Sequence, residues 1–185
     1  MEDREIVDLY WQRSDNAIEE SDKKYGNYCH KIAYNVCSNH EDSEECVSDT
    51  WFKAWNIMPP KRPSALNSFF GSICRNFALD VWRRKTAMKR GGGETALVYE
   101  ELSGCIGDNA QPENVVEAKE LEEAVRNFIH ALPERERRIF LARYYFILPV
   151  AEIAKRQHEG LSKTKMTLYR TREKLIKELR KEGLC

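Results

Sequence analysis

Residues 149–172 read PVAEIAKRQHEGLSKTKMTLYRTR. Pro149 suits the opening of a helix, where its missing N–H costs nothing and its fixed φ is already helical. A short helix over Val150 to Arg156 follows, and His158 to Gly160 read as a turn. A longer helix is expected from about Ser162 to Glu182, with Ser162 as its N-cap, because Leu168, Leu175 and Leu179 recur at i, i+7 and i+11. Helix, short turn and a basic second helix make a helix-turn-helix, and a helix of ordinary diameter fits the major groove of B-DNA. Thr164 and Leu168 are expected to face the preceding helix. Lys163, Lys165, Thr167, Tyr169 and Arg170 lie in the half of the helix where base-reading groups belong, and Arg172, Lys174 and Lys177 extend a positive surface suited to phosphate. A basic amphipathic helix is also what an ordinary solvated face looks like. A response-regulator type of activator and a helical adaptor without DNA binding therefore stay open on this stretch alone.

Working upstream, Pro133 starts a helix carrying Ile139, Phe140 and Tyr144, and helix is expected from about Glu113, with Leu121, Val125, Phe128, Ile129 and Leu132 as its stripe. Before it, Gly91-Gly92-Gly93 opens a polar, poorly periodic segment to about Pro112, predicted to be irregular. In the first half, helices are predicted over Tyr25 to Val36, from near Asp42 to before Pro59-Pro60, and over Ser68 to Arg84, where Phe69, Phe70, Ile73, Phe77 and Val81 share a face. Acids in the first turn of the Asp42 helix favour its dipole. Three prolines between 59 and 67 preclude a continuous helix there. The expected fold is all-α: two small helical domains, 1–90 and 120–185, joined by a flexible acidic linker over 91–119. A response regulator would need an α/β receiver, which an all-helical first half does not supply.

The 185 residues are 42% hydrophobic and 32% charged, and the formal net charge of zero conceals strong alternation. Residues 1–60 carry −7, 61–93 carry +7, 94–123 carry −8 and 124–185 carry +8. The basic blocks suit phosphate backbones; the acidic ones suit a basic partner or self-screening. The acidic linker is expected either to lie against the basic surfaces in the free protein or to be an extended spacer. No stretch approaches the ~20 apolar residues of a membrane span, and the charged start, Met-Glu-Asp-Arg-Glu, lacks a signal-peptide core. The expectation is a cytoplasmic protein without membrane insertion.

Six cysteines show no C-x-x-C pair, so buried free thiols are expected and neither a metal nor a cofactor is. Scattered histidines and the lack of Walker, G-x-S-x-G or H-E-x-x-H motifs argue against an enzyme.

LPERERR at 132–138, Arg143-Tyr144-Tyr145, Glu152-Ile153-Ala154 and LYRTR at 168–172 resemble region 4 of the sigma-70 family, most closely its extracytoplasmic-function group. DSEECVSDTWFKAW at 42–55 and FFGSICRN at 69–76, followed by Asp80 and Arg83-Arg84, resemble region 2 of the same group. The resemblance covers about 25–90 and 120–182, in the family's order. It implies a subunit that binds core RNA polymerase and directs it to promoter DNA. By this resemblance Asp42, Glu44, Glu45, Asp49 and Trp51 belong to the polymerase-binding surface, with Trp51 and Trp55 packing behind the acids. Lys61, Arg62 and Ser64 lie in the loop matching the family's pocket for a flipped minus-10 base. Asn76 matches a base-capturing residue, with Arg75, Arg83, Arg84 and Lys85 on phosphates. Lys163, Lys165, Met166, Thr167, Tyr169, Arg170, Arg172 and Lys174 fall on the minus-35 reading helix. An anti-sigma factor is a further expected partner. The sequence departs from the family where Ser48 replaces the usual Gln, and where Gln157-His158 replaces the usual apolar–Gly turn.

Overall fold

The computed structural model describes residues 1–88, 93–106 and 115–184. All regular structure among them is helical. The chain divides into two compact units, Met1–Gly91 and Gly92–Cys185.

The first unit contains α1 (Asp3–Trp11), α2 (Asn16–Cys37), α3 (His40–Ile57) and α4 (Leu66–Met88). Helices α2, α3 and α4 pack on one another and α1 packs on α2. Ser38 ends α2 in the left-handed conformation, and the Asn39 side chain then caps α3 by accepting from the Asp42 amide at 2.9 Å. Phe70 sits at the centre, fully buried, with Tyr10, Tyr25 and Trp51 ringing it at centroid distances of 6.3, 5.6 and 5.0 Å. Helix α1 was not expected from the sequence. Its apolar residues Ile6, Val7 and Tyr10 are all buried, and the Tyr10 hydroxyl meets Ser21 Oγ at 3.0 Å.

The second unit contains α5 (Gly93–Ile106), α6 (Val115–Ala131), α7 (Glu134–Tyr144), α8 (Val150–Arg156) and α9 (Leu161–Lys181), and α9 touches each of the other four. Ile139, Phe140, Ile153, Leu168, Leu175 and Leu179 form its core. Gly160 and not Ser162 holds the cap position of α9, so the helix begins at Leu161, ahead of the expected start.

The segment expected to be irregular is helical over Gly93–Ile106. Glu94, Val98, Glu101 and Cys105, at i, i+4, i+7 and i+11, line one face; Val98 and Cys105 are buried, and both glutamates meet Arg143. An inward face that alternates acid with apolar residues carries no ordinary hydropathy signal. The rest of the expected linker, 91–92 and 107–114, lies outside the described residues, and α6 supplies 115–119.

Candidate functional site

On α9, Thr164, Leu168, Thr171, Leu175 and Leu179 are buried, which fixes the helix rotation. Lys163, Lys165, Met166, Tyr169, Arg170 and Lys174 are consequently exposed, with Met166 at 49% and Tyr169 at 53%. Thr167 is half-buried; its hydroxyl donates to the Lys163 carbonyl and accepts from Arg135. Arg135 also forms a two-pronged ion pair with Glu159 in the turn between α8 and α9. That turn carries His158 at positive φ, so Gln157-His158 makes the reversal without glycine at the bend. Lys174 pairs with Glu136 at 2.7 Å.

Arg172 is placed differently from its neighbours. It is half-buried and donates to the Tyr144 hydroxyl at 2.7 Å and to Glu101 at 3.2 Å. Beside it Arg143 is 1% exposed. Its guanidinium grips Glu101 with two nitrogens, at 2.7 and 3.2 Å, and reaches Glu94 at 2.6 Å and the Leu148 carbonyl at 3.0 Å. A buried cation is tolerated only when paired and hydrogen-bonded, so the α5 acids complete this unit. Burial works to raise the Glu101 carboxyl, but hydrogen bonds from Arg143 and Tyr144 outweigh it and hold it below the ordinary range. Sequence reading placed Arg143 in a motif without seeing this role; a lone Arg inside IFLARYYFIL (139–148) was the available signal.

On α3, Glu44, Glu45 and Asp49 are exposed, whereas Asp42 is half-buried and paired with Lys85 of α4 at 2.5 Å. That bond joins a residue expected at the polymerase to one expected at DNA. Trp51 is 5% exposed and turned inward, its indole N–H donating to Asp22 at 3.1 Å. A Cβ on Gly26 would lie 2.7 Å from that Asp22 carboxylate, so glycine makes room for the bond. Phe52, at 70% exposure, is the aromatic residue of α3 that faces outward. A 540 Å³ groove between α2 and α3 is lined by Asp22, Gly26, His30, Glu44, Ser48 and Trp51 among others.

On α4, Asn76, Arg83, Arg84 and Lys85 are exposed and Arg75 is half-buried; Arg83 pairs with Asp80 at 3.1 Å. Lys61, Arg62 and Ser64 are exposed in the preceding loop. Helix α1 holds the start of that loop. Arg62 lies over the Trp11 ring at 4.5 Å and pairs with Asp8 at 2.8 Å, and the Trp11 indole N–H donates to the Lys61 carbonyl at 3.2 Å. Asp3 accepts from Lys24 and Tyr25 of α2. Burial pushes the Asp3 carboxyl up, and these bonds bring it below its ordinary value.

Among the described residues no helix is long and apolar enough to cross a membrane, and no cluster of three metal-ligating side chains occurs. Residues 23–88 match the family Sigma-70 region 2, and residues 122–175 match Sigma-70, region 4. The chain is 24% identical over 182 residues to the ECF RNA polymerase sigma factor SigW of Bacillus subtilis, covering 95% of this chain and 88% of that one. It is 27% identical over 156 residues to the RNA polymerase sigma factor SigV of the same organism, covering 84% and 86%. Two helical units in the order region 2 then region 4, each with its family's match, settle the assignment: the chain belongs to the sigma-70 family, in its extracytoplasmic-function group, and is an RNA polymerase sigma factor acting in promoter recognition.

Proposed function

We propose that the two units divide the work of initiation: the first docks on core RNA polymerase and opens the minus-10 element, and the second reads the minus-35 element. The observation that carries this reading is the rotation of α9, which buries Thr164 and Leu168 and turns Lys163, Lys165, Met166, Tyr169 and Arg170 outward. Those side chains offer donors for base edges and an apolar tip for a thymine methyl, while Lys174 and Thr167 flank them toward phosphate. Arg172 joins this set when Glu101 releases it.

Glu44, Glu45 and Asp49 present the negative face for a basic partner surface on core polymerase, Asp42 supports it at the rim, and Trp51 stiffens α3 from behind. Asn76 and the loop bearing Lys61, Arg62 and Ser64 receive an unstacked base, whose capture is cheaper from melted than from stacked DNA. Arg75, Arg83, Arg84 and Lys85 hold the backbone. The protein performs no bond chemistry itself; catalysis belongs to the polymerase. It works in the cytoplasm, and an anti-sigma factor is its proposed restraint. In vitro transcription with core polymerase and a promoter library tests the reading. Initiation from a defined subset of promoters, only when the chain is added, is the expected result; no promoter-dependent product would refute it.

A further inference from the structure

The turn that aims α9 is tied to α7 by one side chain. His158 at positive φ reverses the chain; its amide reaches the Lys155 carbonyl at 3.1 Å, and the Glu159 amide reaches the Ala154 carbonyl at 2.9 Å. Glu159 then begins a row that runs onto α9, with Lys163 at i+4 and Thr167 at i+8. Its side chain is 10% exposed. Arg135, the second residue of α7, engages both Glu159 carboxylate oxygens through Nε and Nη2, and Nη2 also donates to Thr167 Oγ1 at 3.3 Å. The single Thr167 hydroxyl proton goes to the Lys163 carbonyl at 3.0 Å, so only a donor can hold that oxygen from the other side. The next residue of α7, Glu136, pairs with Lys174 at 2.7 Å, seven residues beyond Thr167. Seven residues are two helical turns, so both ties fall on one side of α9. Burial of Ile139 and Phe140 fixes α7 itself.

We propose that Arg135 is a positioning residue for minus-35 recognition: through Glu159 and Thr167 it fixes the angle at which α9 meets DNA, and it cancels a carboxylate standing beside the reading surface. The proposal rests on the reading of α9 given above. Glu159 lies 3.7 Å from Lys163. Left without Arg135, that carboxylate would hold Lys163 back and oppose the approach of phosphates. The two-pronged guanidinium offsets its charge and leaves Lys163 for DNA.

The shape of the fork matters alongside its charge. Nε and Nη2 lie in one plane and meet two carboxylate oxygens together, and Nη2 carries a second proton for Thr167. A lysine ammonium would supply the charge without that fixed spread. Base edges are read at hydrogen-bond distance, whereas attraction to phosphates tolerates a looser fit. Arg135 therefore contributes to discrimination between sequences without touching a base.

Holoenzyme assembled from the full chain tests this on a promoter that the wild-type protein selects from a library. Companion templates carry single base-pair substitutions in the minus-35 element, and the ratio of transcripts from intact and substituted templates measures discrimination. Arg135→Lys keeps the charge and loses the fork. Its ratio should fall several-fold, with transcription from the substituted templates at the wild-type level. Glu159→Gln removes the acid that Arg135 holds, and its ratio should fall without loss on the substituted templates. An unchanged ratio in Arg135→Lys overturns the proposal. So does a ratio that falls only where circular dichroism shows lost helix, because the contact is then an ordinary stabilising pair. Amide exchange in folded Arg135→Lys should quicken over residues 158–167 and not at Ile139 and Phe140; unchanged exchange over 158–167 overturns the positioning role. If the wild-type protein transcribes intact and substituted templates equally, the reading of α9 is what fails, and the exchange measurement still decides whether Arg135 fixes the turn.

Discussion

Glu101 of α5 holds Arg172 of α9 at 3.2 Å while gripping buried Arg143 with both carboxylate oxygens. A single acid thus ties a buried structural arginine to a half-buried one that the sequence assigns to the DNA surface. Glu101→Gln keeps the shape and removes the charge. We expect it to cost the second unit about 1–3 kcal/mol, because a charged hydrogen-bonded partner is lost at a buried site, and to speed amide exchange across 93–106. Non-specific affinity of the free chain for duplex DNA should rise as Arg172 is released. Unchanged exchange in α5 would show that the carboxylate does not hold this helix.

Recognition through α9 separates two exposed residues. Arg170→Ala should cost about 1–3 kcal/mol at the preferred upstream site and relax specificity at one position. Lys177→Ala should weaken binding to all sequences alike. Fluorescence anisotropy against a panel of singly substituted duplexes distinguishes them; uniform losses in both variants would make Arg170 a phosphate contact.

Much of this was open to sequence reading, and the exceptions share a cause. The limits of α8 followed from Pro149 and the turn at His158, because both act through local backbone geometry. The outward set on α9 followed from leucine spacing. Helix α1 was missed because three apolar residues among charges give too little periodicity. Helix α5 was missed because its inward face contains Glu94 and Glu101, whose burial makes sense only once Arg143 is placed opposite. The Asp42–Lys85 pair likewise joins residues far apart in the chain, so no local pattern announces it.

Charge reversal tests the acidic face. Glu45→Lys with Asp49→Lys should weaken core binding by more than the ~1 kcal/mol of an isolated exposed pair, since several charges act together. Both side chains are exposed, so the fold should survive, and retained circular dichroism is the control. Normal core affinity in the double variant would remove α3 from the interface.

Phe70→Ala tests the packing of the first unit. A fully buried ring contacting Tyr10, Tyr25 and Trp51 leaves a cavity that should cost about 3–5 kcal/mol. Chemical denaturation should show an earlier transition for the first unit, with the second unit unaffected.

Acid should loosen α1 and α5 before the core helices. Asp3 and Glu101 are both held below the ordinary carboxylate value, so the unfolded chain binds more protons as pH drops. Their contribution is complete above the ordinary carboxyl pKa of roughly 4 and disappears as pH falls through the lower folded-state values. Exchange measured between neutral and strongly acidic pH should show rising rates in 3–11 and 93–106 first. Simultaneous loss of protection in α2 and α4 would contradict this order.

The anchorage of the Lys61–Ser64 loop on α1 bears on how such proteins can be recombined. The stretch matching region 2 begins at residue 23, downstream of Asp3, Asp8 and Trp11. A chimera built by transplanting residues 23–88 would carry the acidic helix and the basic one yet leave the loop without its strut. On the proposed role of that loop at the minus-10 element, promoter preference would not travel with the matched stretch alone: a graft would have to include Asp8 and Trp11 of α1 to bring its own calibration of the loop.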